Sequence, residues 1–476
     1  MASLSDVGLR SERGPILLAI MVATCLVAMT ATIVATAVPS IVDDLGGYES
    51  FPWIFSIFVL AQAVLTPVHA KLADQLGRKP VLLWGIGVFL LASLLCGFAW
   101  NMPSLIVFRA LQGVGAGAIM PMTVTMLGDI YSVEERARVQ GHVASMWGIA
   151  SVVGPTVGGV FSELGIWRWI FFLNVPLCLL AAWLLVRNYR ETVEKRDSRI
   201  DWGGAVLLTA ALTLLMLGIL QGGVAWAWMS TVSIGVFAGG FVLLGVFVLV
   251  ERRAPEPVIP LWIFTRPVVA WTALLNLVMG GVMIGYTAYV PTYLEGSLGV
   301  SPLVAGLALA TMTIGWPVAA ALSGRVYLRR GFSFVITCGT VCVAVAGVAI
   351  AFLSGWPNPW VVGGLLLVTG FGLGFVAAPS LVRVQSSVEW AERGVASGTV
   401  MFSRAIGQSL VAAGLGALAN GIVLSRGGDA QDVDTVIASS GAVFWAAAVC
   451  GVAMVVIAVL TPSDRKRRAR PRAVED

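Results

Sequence analysis

Two arginines, Arg109 and Arg404, stand inside long apolar stretches of this chain, and no aspartate or glutamate stands deep in any of them. An arginine at the centre of a membrane-spanning helix costs about 2.5–3.5 kcal/mol on insertion scales, so it normally faces a polar interior. Gln112 follows Arg109 at i+3, on the same helical face. The first apolar stretch ends in TATIVATAVPSI (30–41), which holds the hydroxyls of Thr30, Thr32 and Thr36 and no charge. A threonine can bond a substrate or its own i−4 carbonyl, but it cannot carry a proton near neutral pH. Asp129, Glu163, Asp201 and Glu295 lie near the ends of apolar stretches, and His142 lies near one end of the fifth. An imidazole exchanges protons near neutrality, so His142 is a candidate coupling group. With two histidines, no carboxylate pair within the membrane and six cysteines without ligand spacing, the sequence offers no covalent chemistry, metal or cofactor site to assign.

The elements that must position these groups follow from composition. Of 476 residues 58% are hydrophobic and 12% charged, with mean hydropathy +0.90; a soluble domain is about a quarter charged. About 20 apolar residues span the hydrocarbon of a bilayer. Fourteen such runs occur, near 15–40, 51–70, 81–99, 103–127, 139–162, 169–187, 202–221, 230–250, 268–293, 302–323, 332–353, 360–381, 395–424 and 439–461. Cytoplasmic loops retain Lys and Arg, and threading the runs with the N-terminus inside leaves 26 of the 30 basic residues on that side. Only Arg168 and Arg426 fall outside. Both termini are therefore expected in the cytoplasm of a cell whose plasma (bacterial inner) membrane the chain crosses. Trp100, Trp167, Trp169, Trp226, Trp228, Trp356 and Trp360 fall at outer ends, where indoles favour the interface. The net +5 is dispersed over loops without aromatic interleaving, so no nucleic-acid partner is expected. The tail DRKRRARPR suits anionic lipid headgroups, and no cleavable signal is visible.

An internal repeat orders the runs. QGVGAG (112–117) matches TGFGLG (369–374), and EERARVQG (134–141) matches AERGVASG (391–398), both at an offset of 257; AKLADQLG (70–77) pairs more loosely with GRVYLRRG (324–331) at 254. Six-helix halves would repeat at about 190 residues, so the surplus corresponds to two inserted helices. The expected fold class is an all-α integral membrane protein with 14 transmembrane helices in a 6+2+6 arrangement. Its parts are a six-helix bundle (1–190), an inserted pair (191–255), a second, pseudo-symmetric six-helix bundle (256–462) and a basic tail (463–476).

Several motifs together resemble a known family. AKLADQLGRKPV resembles the loop signature G-x-L-A-D-R-x-G-R-K of the major facilitator superfamily, with Ala70 and Gln75 in place of glycine and arginine. In the residues themselves, Asp74 can neutralise a helix N-terminus or pair with Arg78, and Gly77 permits a tight turn; the resemblance implies that this loop latches the two bundles at the cytoplasmic side. RALQGVGAG (109–117) resembles the helix-4 motif of the superfamily. GIASVVGPTVGGVF (148–161) resembles the helix-5 motif that marks exporters, with Gly154 smoothing a face for packing and Pro155 bending the helix. WIFSIFVLAQAVLTPVHAKLAD (53–74), GIWRWIFFLNVP (165–176) and DWGGAVLLT (201–209) are similar to fourteen-helix drug:proton antiporters of the EmrB/QacA type.

One departure affects mechanism. Many of those relatives read D-x-T-I-V-N-x-A-L-P in the first helix, and here Thr30 stands at the aspartate and Ala35 at the asparagine. The expectation is a monomeric secondary exporter of small amphipathic compounds, alternating access around a midplane cavity and driven by protons carried at an end-placed carboxylate or His142. Its alternatives are a proton-independent exporter of a neutral or anionic amphipath or lipid, and a transport-dead sensor or scaffold. Thr30, Arg109, Gln112, Trp147, Asn276, Tyr286, Tyr289, Trp316 and Arg404 are the expected cavity residues. Asp74, Gly77, Arg78, His142, Gly154 and Pro155 are the expected gate and coupling residues, and the inserted pair, poor in polar groups, is expected at the lipid-facing periphery.

Overall fold

The computed structural model describes residues 8, 9, 11–131, 133–191, 201–223, 225–254, 257, 259, 261, 265–388, 393–427 and 432–462, and the basic tail from 463 lies outside them. The described chain is helical: α1 (Gly14–Leu45), α2 (Phe51–Leu76), α3 (Arg78–Gly97), α4 (Met102–Ile130), α5 (Val133–Glu163), the short α6 (Trp169–Phe172), α7 (Asn174–Asn188), α8 (Trp202–Gln221), α9 (Thr231–Glu251), α10 (Pro267–Leu298), α11 (Pro302–Arg330), α12 (Phe332–Leu353), α13 (Pro359–Ser387), α14 (Arg393–Ser425) and α15 (Val433–Leu460). Local chemistry sets the ends. Proline lies in the first turn of α1, α2, α4, α10, α11 and α13, where its missing N–H costs nothing. Asn101, Asp201, Ser230, Asn358 and Asp432 cap N-termini through their side chains. Thirteen helical segments among the described residues are long and apolar enough to cross a membrane, α6 and α7 counting as one. α5, with Glu134, Glu135, Arg136 and Arg138 in its first two turns, is not among them.

The repeat seen in sequence is a repeat of packing. In the first group α1 packs on α5, α2 and α3 on α4, and α1 and α3 on α7; in the second, α10 packs on α14, α11 and α12 on α13, and α10 and α12 on α15. Across the groups α5 meets α11 and α2 meets α14. The glycines of the matched motifs make the same contacts. A Cβ on Gly115 would lie 2.7 Å from the Phe89 nitrogen, and one on Gly372 would lie 3.0 Å from the Val343 nitrogen, so neither position has room for a side chain. Phe89 and Val343 are 254 residues apart, as are Gly77 and Gly331, which turn the chain at φ +102° and +87° where L side chains are strained.

The helices of the inserted pair pack on each other, and α8 also reaches the junction of the groups. Leu208, Leu212, Met216 and Leu220 of α8 bury against Trp53, Leu60 and Val64 of α2 and Ile406 and Ala413 of α14. The pair is therefore peripheral only through α9, whose Val232, Ile234, Phe241, Val242 and Leu249 are exposed. The tryptophans divide too: Trp100, Trp169, Trp228, Trp356 and Trp360 are exposed, whereas Trp167 is buried and donates its indole N–H to Asp44 Oδ2 at 3.1 Å.

The core is lopsided. We call the end holding the start of α1 and the finish of α15 the terminal end, and the opposite one the loop end. One continuous hydrophobic core joins both groups through Val34, Val38, Ile41, Phe51, Ile54 and Phe55, in the loop half of the first group. The terminal half of that group packs around a separate core that includes Leu17, Ile20, Leu82, Phe89, Met122 and Leu185. In the second group, Val269, Val384, Val388, Ala396 and Val400 form another at the same end.

Candidate functional site

The two intramembrane arginines occupy unlike surroundings. Arg109 is 1% exposed. Its Nε donates to the Ile54 carbonyl at 3.1 Å and its Nη1 to Gln112 Oε1 at 2.6 Å, while the guanidinium lies 4.1 Å from the centre of the Phe58 ring. Gln112 passes the connection on, its Nε2 donating to Ser93 Oγ at 2.8 Å, and Asn174 Nδ2 reaches the same oxygen at 3.4 Å. Arg109 and Gln112 thus tie α4 to α2, α3 and α7 inside the first group.

Arg404, on α14, is half-buried, and among the described residues its guanidinium has no hydrogen bond and no ion pair. The guanidinium lies 5.9 Å from the centre of the Trp316 ring on α11, within cation–π reach. The backbones carrying this pair are fixed by close helix crossings. Any Cβ on Gly280 would run into the Arg404 carbonyl, any on Gly407 into the Leu277 carbonyl, and any on Gly374 into the Trp316 carbonyl. Gly374 belongs to the repeated motif, and its counterpart Gly117 abuts the Gln62 carbonyl, where a Cβ would lie 2.9 Å away. Gln62 and Trp316 are therefore repeat equivalents, 254 residues apart. Gln62 is half-buried, and its side-chain amide has no partner among the described residues. The looser repeat offset was the signal that could have singled it out.

The hydroxyls of the first helix turn back on their own backbone. Thr30 Oγ1 donates to the Leu26 carbonyl at 2.8 Å, Thr36 to Ile33 at 3.1 Å, and Thr32 to Met29 at 3.1 Å and to Ala150 of α5 at 3.5 Å. Asn276 is buried and donates to its own Thr272 carbonyl at 3.0 Å. Tyr286 is buried inside the second group, its ring 6.0 Å from that of Phe444 and its hydroxyl without a partner. Tyr289 instead stands at the junction, edge-on to Phe51 of α2 at 5.4 Å. These expected cavity residues do not converge on one point; Arg404 and Trp316 do meet. The side chain of Trp147 lies outside the described residues.

Small groups and backbone close the loop end. Cβ atoms on Gly306 and Gly159 would fall 2.5 Å from the Pro155 carbonyl and 2.7 Å from the Pro302 carbonyl, so α5 and α11 touch backbone to backbone. Gly154 presses on Thr32 in the same way on the α1 side. Ser409 Oγ donates to the Ser56 carbonyl and Asn420 Nδ2 to the Glu49 carbonyl, both at 2.8 Å, joining α14 to the first group. Beside this closure Glu295 of α10 has one buried carboxyl oxygen without a hydrogen bond among the described residues.

At the terminal end, Gly77 turns the chain so that Arg78 starts α3 and reaches Asp129 Oδ2 at 3.2 Å and the Ala73 carbonyl at 3.3 Å. The Lys79 N–H donates to Glu191 at 2.9 Å, and its ammonium to the Val186 and Tyr189 carbonyls. This loop is thereby fastened to α4 and α7 of its own group. Asp74 lies in the last turn of α2, with its side chain outside the described residues. His142 is half-buried on α5.

The profile of the Major Facilitator Superfamily matches residues 20–412. The chain belongs to this superfamily. Multidrug resistance protein 3 of Bacillus subtilis (strain 168) is 31% identical over 428 residues, 90% of this chain and 83% of that protein. Multidrug transporter protein MdtP of the same organism is 31% identical over 417 residues, 88% and 77% of the two chains. Among solved structures, a D-xylose-proton symporter superposes with TM-score 0.67 at 13% identity, covering 95% of this chain and 99% of that one. That likeness concerns the fold. This major facilitator superfamily member is thus a multi-pass membrane transporter with multidrug-transporter homologues, and Arg404 and Trp316 sit on α14 and α11, two helices through which its second group meets its first.

Proposed function

We propose that this chain exports small amphipathic molecules by alternating access, in exchange for protons. The observation that carries the reading is one-sided closure: backbone-to-backbone contacts and a core shared with the second group at the loop end of the first group, and a separate core in that group's terminal half. A transporter alternates by undoing one such closure and making its mirror image. With the positive-inside topology, the loop end is the outer side, both termini are cytoplasmic, and the closed state is inward-facing. In this reading α5 is the fourteenth crossing and the layout is 6+2+6, with bundles at 1–190 and 256–462 flanking the inserted pair at 191–255. Recurrence of the helix pairings supports it. The likeness to two multidrug proteins supports amphipathic substrates and a plasma-membrane location.

Glu295 is the leading proton-exchange group, because one of its carboxyl oxygens is buried without a hydrogen bond among the described residues; His142 is the other candidate. The Thr30 hydroxyl, tied to the Leu26 carbonyl, favours a second reading in which helix 1 takes no part and export needs no proton. Inverted membrane vesicles decide between them: uptake of a panel of lipophilic compounds, with and without a pH gradient. Uptake raised by the gradient in wild type and no longer raised in Glu295→Gln is the expected result. Gradient-independent uptake selects the second reading. No uptake above vesicles lacking the protein overturns export and leaves a sensor or scaffold.

A further inference from the structure

We propose that Arg404 and Trp316 form the recognition site for an organic monoanion with a planar apolar body, and that the membrane potential drives its export. The proposal rests on the exporter reading and names its substrate class.

Arg404 is a deep arginine whose hydrogen-bonding capacity is unspent. A guanidinium presents five N–H donors in a planar fork that matches a carboxylate, sulfonate or phosphate in bidentate geometry. Arg109 spends its donors on the Ile54 carbonyl and Gln112. Among the described residues Arg404 has only the Trp316 ring, which holds the guanidinium without using its in-plane donors. A half-buried cation in this condition lacks an acceptor, and an anionic ligand supplies one. The exposed part of the indole gives a planar body a surface for offset stacking.

Position and rigidity support the assignment. α14 is locked to α10 through Gly280 and Gly407, and α11 to α13 through Gly374, so the backbone positions that carry the guanidinium and the indole are fixed before a ligand arrives, which lowers the ordering cost of binding. α11 and α14 are also helices through which the second group meets the first, so the pair lies where opposite tilting of the groups changes access. On the first group, Gln62 at the equivalent position brings an unpaired amide and no charge. No carboxylate lies deep in the described spans to attract a cation.

The sign of the substrate charge supplies an energy source. An anion leaving an inside-negative compartment moves down the potential, and 100 mV sustains about a fifty-fold gradient for one charge. The carboxylate missing from position 30 is not required for this class, and any proton exchanged adds to the same drive.

The test uses the purified full chain and three isosteric probes: 1-naphthalenesulfonate, the neutral 1-naphthalenesulfonamide and trimethyl(1-naphthyl)ammonium. Calorimetry on wild type should show the sulfonate binding at least tenfold more tightly than the sulfonamide and the ammonium compound weakest. Arg404→Gln should lose at least tenfold for the sulfonate and leave the sulfonamide unchanged, Arg404→Lys should recover part of the loss, and Trp316→Leu should weaken sulfonate and sulfonamide alike by about threefold. Equal binding of sulfonate and sulfonamide to wild type overturns the site whether or not the variants fold, and so does wild-type sulfonate affinity in Arg404→Gln. In proteoliposomes with a potassium–valinomycin potential, the sulfonate should accumulate on the positive side and should do so with the same strongly buffered pH on both sides. Accumulation that follows the pH gradient and ignores the potential overturns the driving force. Failure to move any probe, with sulfonate-selective binding intact, rejects export and leaves the anion site standing.

Discussion

Arg109 and Arg404 are the same residue type in the same kind of apolar helix, yet the fold employs them in opposite ways. Arg109 is closed in by α2, α3 and α4 and joined to the Ile54 carbonyl and the Gln112 side-chain amide. Arg404 lies by an indole and, among the described residues, has no acceptor for its donors. The difference is one of hydrogen bonding: a guanidinium bonded to neighbouring helices joins them, and one without acceptors keeps its donors for a ligand, which is the ground of the anion-site proposal. The repeat gives the same lesson, because the two arginines are not equivalents: 257 residues beyond Arg109 stands Leu366, fully buried, so the second group holds its helices together without this network.

Substitutions test the contrast. Arg109→Met has the largest expected effect: it strands the Gln112 oxygen away from water, at about 1–3 kcal/mol, and gives up the guanidinium's contact with Phe58 and its tie to α2, so thermal unfolding of the purified protein in detergent should fall by several degrees. Arg404→Met should leave that melting temperature within a degree or two. Equal losses in the two variants would erase the distinction. Gln112→Leu cuts the link to Ser93 while keeping the arginine bonded to Ile54, and should cost about 1–2 kcal/mol by the same measurement.

A smaller and purely kinetic effect is expected at the loop that the first group fastens to itself. Asp74→Asn should slow efflux several-fold at near-normal expression if Asp74 latches the two bundles as the family resemblance implies, while Arg78 keeps its pair with Asp129. Wild-type turnover would remove Asp74 from the mechanism. Smallest of all is Thr30→Val, since the hydroxyl only doubles a bond to a carbonyl already within the helical ladder. Stability should shift by about 1 kcal/mol or less, and any proton-coupled counterflow should persist. Loss of counterflow with downhill export intact would make helix 1 a coupling element despite its missing acid.

The sequence alone determined the membrane class, the superfamily, the repeat and the positions of all thirteen membrane-length segments that the structure describes. Those properties are carried by runs of neighbouring residues: hydrocarbon length, the charge of the loops, glycines at a constant offset. Tertiary structure decided what local patterns do not encode. It buried Trp167 against Asp44, although its place in the chain resembles that of the exposed Trp169. It set α8 against the α2–α14 junction, although its composition reads like that of the lipid-facing α9. It turned Tyr286 into its own bundle and Tyr289 towards Phe51, three residues apart on one helix. Above all it separated the arginines, because whether a buried charge is satisfied depends on atoms far away in the chain. For Arg109 those include a carbonyl 55 residues back and, through Gln112, a serine on α3; for Arg404 they include an aromatic ring 88 residues back that offers a face and no acceptor.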